Sequence, residues 1–215
     1  MSDQPPLDPH PLSPYVAWAG NRNRDPILQV FKDKFPKNEA DVLEFATGSG
    51  MHINFLASEF SHLRFHPSDK DDETFENIKK LTVENGNSNI VDPVAIDLTD
   101  STSWPDASKQ QFAAIFCINI FQVAPVSIAE GMMKCAASIL ENDGKLYIYG
   151  PFKVDGGFTT DSNKEFNDII ESAGVEEWGL KDVNDISGSA EKAGMKLVQR
   201  VDMPSNNFML VYGKA

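Results

Sequence analysis

The stretch Asp41-Val42-Leu43-Glu44-Phe45-Ala46-Thr47-Gly48-Ser49-Gly50 runs from an apolar segment carrying one acid into a turn with two glycines. Met51 to Ala57 follows, with apolar residues at helical spacing. A strand, a glycine turn and a helix N-terminus in succession make a place where backbone can approach a ligand closely. Dinucleotides and S-adenosylmethionine both use this shape. A dinucleotide fingerprint requires a third glycine so that the helix packs close to the strand, and Ile53 stands at that position. S-adenosylmethionine has no phosphate; it carries an ammonium and a sulfonium, and Glu44 at the strand end suits those cations.

Outward from this turn, strands and helices alternate. Strands are expected at Val42–Phe45, Leu63–His66 (stopping at Pro67-Ser68-Asp69), Val94–Ile96, Phe112–Phe121 and Lys145–Tyr149. Lys196–Val201 and Phe208–Tyr212 form a final antiparallel pair. The unbroken apolar run Phe112–Phe121 reads as a central strand covered on both faces. The first helix is expected to begin at Asp25-Pro26, an N-cap followed by proline at the first helical position, and to end at Pro36. Ser127 and Glu130 have capping-box spacing, and Asn142-Asp143-Gly144 reads as a turn. An irregular loop is expected from Pro151 to Asn163, and a helix from Asp182 to Ala193. The pattern predicts an α/β fold, three-layer and Rossmann-like, with a mostly parallel seven-stranded sheet and helices on both faces. Residues 1–14 read as a flexible tail, and residues 15–215 as one domain.

Such sheets bind ligands beyond the carboxyl ends of their strands. That rule selects Glu44 to Gly50, Pro67 to Asp69, Asp97-Leu98, Asn119 to Gln122 and Gly150 to Phe152. Asp69 lies 19 residues after Gly50, where an ionised carboxylate can accept from both ribose hydroxyls; a helix cap is the plainer role. Asp97 is placed to accept from an adenine amino group while the Leu98 backbone meets a ring nitrogen; the alternative is a turn aspartate. Asn119 interrupts a buried run and must find partners, either in neighbouring backbone or in the cleft. Gln122, Tyr149 and Asn163 are further candidates on the acceptor side. His52 is a candidate base or a helix-start residue. Asn206 and Asn207 either line the cleft or form a hairpin turn.

The chain has 215 residues, 41% hydrophobic and 24% charged, with a formal net charge of −13. This acidity argues against a nucleic-acid partner. No apolar run approaches a membrane span. Cys117 and Cys135 read as buried thiols in a reducing compartment, hence a cytoplasmic location. No metal is expected: the cysteines lack metal-like spacing, and His62 and His66, four apart, read as two residues on one face of a strand.

Seven segments occur in an order that resembles a known family. They are Asn23-Arg24-Asp25-Pro26-Ile27-Leu28, Thr47-Gly48-Ser49-Gly50-Met51-His52, Pro67-Ser68-Asp69, Cys117-Ile118-Asn119, Tyr149-Gly150-Pro151-Phe152, Ser162-Asn163 and Met203-Pro204-Ser205-Asn206-Asn207. Together they resemble the methyltransferase-like family of domain of unknown function 938, the methyltransferase-like protein 26 group, from about Asn21 to Lys214. The resemblance implies a class I S-adenosylmethionine-dependent methyltransferase fold. It places Glu44, Gly48, Gly50, Asp69, Asp97 and Asn119 at cofactor positions, and Arg24, Ala46, Thr47 and Leu98 are grouped with them. Three positions depart from the family's usual residues: Met51 replaces Gln, Gln122 replaces His, and Val126 replaces Trp. Loss of the histidine at 122 removes the obvious general base. The expectation is methyl transfer to a small-molecule acceptor, with no nucleic acid and no membrane. The alternatives are a cofactor-binding regulatory protein and a methyltransferase acting on protein side chains. Asn119, Gln122, His52 and Tyr149 are the catalytic candidates.

Overall fold

A computed structural model of the chain describes residues 4–70 and 72–215. The chain divides into two compact units, Met1–Ile96 and Asp97–Ala215. Its strands form a seven-stranded sheet in the order β3-β2-β1-β4-β5-β7-β6.

In the first unit β1 (Ala40–Phe45) and β2 (Leu63–Asp69) are parallel, in register from Ala40 opposite Leu63 to Glu44 opposite Pro67. The short β3 (Val94–Ala95) is parallel to the end of β2. Val42, Leu43, Glu44 and Phe45 are consecutive buried residues of β1, the signature of a strand covered on both faces. The second strand continues three residues beyond the expected stop, because Ser68 and Asp69 pair with Val94 and Ala95 and carry it past Pro67. Around these strands lie α1 (Pro14–Lys34), α2 (Met51–Glu59) and α3 (Phe75–Glu84).

The first helix begins well before the expected Asp25-Pro26. Ser13 caps it by accepting from the Val16 N–H, Pro14 takes the first position, and Pro26 lies inside a 21-residue helix. Both Ser13-Pro14 and Asp25-Pro26 satisfy the cap-proline rule. The earlier pair wins because Gly20 and Asn23 are buried ahead of Ile27, Leu28 and Phe31, so packing continues through Pro26.

In the second unit β4 (Phe112–Ile118) is parallel to β5 (Leu140–Gly150), and β5 is antiparallel to β7 (Asn207–Lys214). Antiparallel to β7 on its other edge is β6 (Met195–Met203). The helices are α4 (Ser127–Ile139), α5 (Asp161–Glu171) and α6 (Val183–Lys192). The fourth strand ends at Ile118 rather than Phe121, because Asn119 turns into the left-handed region at φ 57°. Asn142-Asp143-Gly144 is no turn between elements: β5 runs through it, and the pairing with β4 jumps between Phe112 and Ala114 to absorb the extra residues. Ser127 does not cap α4. It is the first helical residue, Val126 makes no side-chain cap, and Glu130 pairs with Lys134 at 2.6 Å instead. The expected loop ends early, because Thr160 caps α5 by accepting from Asn163. The helix Asp161–Glu171 has no apolar stripe in the sequence, because it buries Asn163, Asn167 and Ile170.

Cys117 on β4 and Cys135 on α4 are buried and form no disulfide. Burial pushes the Cys135 thiol up to about 12.

Candidate functional site

The glycine turn of the first unit is built by backbone strain and side-chain clamps. Ala46 has φ 53°, Gly48 φ 57° and Gly50 φ 81°. The alanine holds a conformation that L-residues rarely adopt, so its surroundings must enforce it. They do so through β2. Thr47 N–H donates to the Ser68 carbonyl at 2.8 Å, and Thr47 Oγ1 accepts from Ser68 N–H at 3.0 Å. Ser68 Oγ donates to the Glu44 carbonyl at 2.7 Å. The Gly48 N–H donates to Asp69 Oδ2 at 2.8 Å, so the turn rests on the carboxylate expected to meet a ribose. Lys70 N–H donates to Asp69 Oδ1 at 2.8 Å.

Gly50 starts α2 and must be small as well as left-handed, since a Cβ there would lie 3.0 Å from Ile78 Cγ1. Two asparagines missed in the sequence complete the turn: Asn77 donates to the Ser49 carbonyl at 2.7 Å and Asn54 to the Gly50 carbonyl at 2.9 Å. Asn54 could have been found, because it breaks the apolar face of Ile53, Leu56 and Ala57. Ahead of α1, Pro11 packs on the turn, with its Cβ 3.5 Å from the point where a Gly48 Cβ would sit. His10 pairs with Glu73 at 3.0 Å.

Glu44 is 2% exposed, and its Oε2 has no hydrogen-bond partner. Burial raises its carboxyl well above the ordinary range, a hydrogen bond from Thr47 opposes the rise, and the charge of Asp69 adds to it. A carboxylate so placed becomes favourable when a cation arrives.

Arg24 and His52 meet where α1 packs on α2. His52 Nε2 is 2.7 Å from Asn23 Oδ1. Burial, reinforced by the charge of Arg24, lowers the imidazole to about 4, so His52 is neutral near pH 7 and too weak a base to hold a proton there. The Arg24 guanidinium lies over the Phe55 ring at 5.0 Å, and its Nε is buried without a hydrogen-bond partner.

In the second unit Asn119, Gln122 and Tyr149 are brought together. Asn119 N–H donates to the Tyr149 carbonyl at 2.9 Å, and Gln122 Nε2 donates to the Asn119 carbonyl at 2.8 Å. Gln122 Oε1 is buried without a partner. The Tyr149 hydroxyl accepts from Asn207 Nδ2 at 2.8 Å. Asn206, at φ 58°, lies in the β6–β7 turn and donates to Ser162 Oγ, while its carbonyl accepts from Asn163. Of the two readings of the asparagine pair, Asn206 makes the turn, and Asn207 reaches the Tyr149 hydroxyl.

Asp97 and Leu98 open the second unit. Asp97 Oδ1 accepts from the Thr99 N–H and hydroxyl at 2.8 and 2.6 Å, a turn-aspartate geometry. Its carbonyl accepts from Trp104 Nε1 at 2.9 Å. Leu98 is pinned by Gly131, where a Cβ would stand 1.7 Å from the Leu98 carbonyl oxygen. Among the described residues no cluster of His, Cys, Asp and Glu is placed to hold a metal ion.

A family model described as a protein of unknown function, DUF938, matches residues 14–214. This chain belongs to the DUF938 family. Among solved structures, the DUF938 chain is similar to a mitomycin 7-O-methyltransferase, with TM-score 0.76 and 10% identity over 94% of this chain and 56% of that one. It is also similar to an O-methyltransferase family protein from Burkholderia thailandensis, with TM-score 0.75 and 15% identity over 94% and 57%. A third is CalO1, a methyltransferase in calicheamicin biosynthesis solved with SAH bound, with TM-score 0.70 and 13% identity over 93% and 57%. The DUF938 chain therefore has the Rossmann-like fold of these methyltransferases, and it spans a little over half the length of each (56–57%).

Proposed function

We propose that the protein is an S-adenosylmethionine-dependent methyltransferase acting on a small-molecule acceptor by in-line transfer. The observation that carries this reading is the buried, unpartnered Glu44 oxygen beside a glycine turn that rests on Asp69. A buried carboxylate with one orphaned oxygen suits an ammonium or sulfonium. A backbone turn without side chains at Gly48 and Gly50 suits close approach. The residues fit the cofactor.

Glu44 and Arg24 would hold its charged end, Ala46, Thr47, Gly48 and Gly50 its close-packed middle, and Asp69 its ribose. In the second unit Asp97 and Leu98 would take the adenine, and Asn119 would face the reacting group. When bound, the cofactor supplies a methyl group already activated by its sulfonium. The protein's share is then to hold the acceptor in line and exclude water. Gln122, an amide, orients a donor group but takes no proton, and Tyr149 is positioned by Asn207. A small-molecule acceptor is supported by the mitomycin and calicheamicin enzymes among the structural relatives.

The weak basicity of His52 and the amide at 122 also favour a second reading, a cofactor-binding regulatory protein without turnover. The order of the motifs supports placement in the methyltransferase-like protein 26 group of the family. The buried cysteines support a cytoplasmic location, and we read residues 15–215 as one functional domain. No helix among the described residues is long and apolar enough to cross a membrane.

Isothermal calorimetry with S-adenosylmethionine and S-adenosylhomocysteine tests the reading. Saturable binding is expected for both, and Asp69→Ala is expected to abolish it by removing the ribose acceptor and unpinning Gly48. Absence of binding to the wild-type protein overturns the proposal. Binding with no methyl transfer to any fraction of a labelled metabolite pool favours the regulatory reading.

A further inference from the structure

The segment ahead of α1 is folded on itself. Asp8 Oδ1 accepts from the His10 N–H at 2.9 Å, and the Asp8 carbonyl accepts from the Ser13 hydroxyl at 2.7 Å. The His10 carbonyl accepts from the Ser13 N–H at 2.9 Å. Residues 8–13 are thus tied into one short piece.

This piece is held very differently at its two sides. At Ser13 it runs into α1, which is locked onto α2: a Cβ at Gly20 would stand 1.7 Å from Met51 Cε, and Asn23 Oδ1 is 2.7 Å from His52 Nε2. On the other side His10 reaches Glu73, in the segment between β2 and α3, at 3.0 Å. His10 Nδ1 accepts from the Leu12 N–H at 3.2 Å, so it is Nε2 that donates to Glu73 Oε1. The two side chains are 48% and 62% exposed, and an exposed pair of this kind contributes little.

Between these two holds Pro11 sits on the glycine turn, its Cβ 3.5 Å from the point where a Gly48 Cβ would lie. The same glycine donates its N–H to Asp69, four residues before Glu73. A ligand that packs on Gly48 and bonds Asp69 therefore shares its site with a segment that is firmly anchored on one side and weakly fastened on the other.

Resting on the methyltransferase reading, we propose that residues 8–13 are a strap over the cofactor's glycine turn, hinged at Ser13-Pro14 and latched by His10 on Glu73. The strap swings off to admit the cofactor, recloses on it, and so gates both entry and release. Closure keeps water from the turn. The latch is made without any contribution from the ligand, so it slows both directions alike and leaves affinity nearly untouched.

Surface plasmon resonance with the immobilised full chain and S-adenosylhomocysteine reads the two rates separately. Glu73→Ala should raise the association and dissociation rates together, about two- to fivefold, and hold Kd within about twofold. Glu73→Gln, which keeps an acceptor for His10 Nε2, should fall between Glu73→Ala and wild type. Pro11→Gly, which removes the ring from Gly48 and loosens the segment, should raise both rates by more. A rise in the dissociation rate alone, with Kd weakened to match, makes the segment a fixed wall and overturns the proposal. Unchanged rates in both Glu73→Ala and Pro11→Gly overturn it too. In either case binding of S-adenosylhomocysteine to the wild type leaves the methyltransferase reading standing. If the wild type does not bind it, both fall.

Discussion

At Glu44 the fold keeps a carboxyl group in its core, and pH decides what that costs. Its folded-state pKa is raised above the ordinary 4.5, chiefly by burial. The folded protein therefore holds a proton that the unfolded chain has lost, and stability falls as pH rises from 4.5 through the folded value. Glu44→Gln should flatten that fall and make the ligand-free protein more stable than wild type at neutral pH, as read from urea midpoints across pH. The same variant should bind S-adenosylmethionine more weakly, because the amide offers no charge to the cofactor's cations. A variant with the wild-type pH slope would show that Glu44 is not the titrating group. The sequence made Glu44, Gly48, Gly50 and Asp69 legible because a glycine turn after a strand has few physical reasons to exist. It could not show Arg24's platform or the support from Asn77. Phe55 and Asn77 acquire those roles from helix packing between residues 31 and 28 positions apart from their partners.

Elements were legible wherever burial on one face dictates a period. The helices α2, α4 and α6 follow from the helical spacing of their buried residues, and the strands β1 and β7 from unbroken apolar runs. The beginning of α1 failed because its first half buries mainly Gly20 and Asn23 while Trp18 lies under Arg22 at 4.5 Å, a pattern with no apolar stripe. The turn expected at Asn142-Asp143-Gly144 lies inside β5, where the pairing with β4 jumps from Leu140 to Lys145 and leaves these residues in a bulge instead of between two elements. One close contact between elements sets a sharp test. A Cβ at Gly131 of α4 would stand 1.7 Å from the Leu98 carbonyl oxygen and 2.8 Å from its carbon, both backbone atoms. Gly131→Ala should therefore destabilise the protein by about 3 kcal/mol in chemical denaturation. It should also displace Leu98 and weaken S-adenosylhomocysteine. Unchanged stability would mean that this helix slides freely past Leu98.

For the molecule as a whole, the fold matches methyltransferases over 93–94% of this chain and 56–57% of theirs. A chain of this size that binds its ligand only when folded gains stability by mass action. S-adenosylhomocysteine at about 100 times its Kd should add about 2.7 kcal/mol and raise Tm by about 5–10 °C. Adenosine alone at the same molar concentration should raise it less, and an equal shift would deny the amino-acid end any part in binding. The net charge of −13 weakens any polyanion contact at low salt, where such contacts are otherwise strongest. The two thiols of Cys117 and Cys135, one on a central strand and one on the helix after it, have a use that no assay of function offers. Neither is reachable in the folded protein, and the high pKa of Cys135 suppresses its thiolate. Thiol-reactive dye should therefore label the intact protein only as fast as it opens, so the chain carries its own clock for local unfolding. Mass spectrometry that finds Cys135 labelled before Cys117 would time the opening of α4 ahead of β4, and simultaneous labelling would show that the two open in one cooperative step.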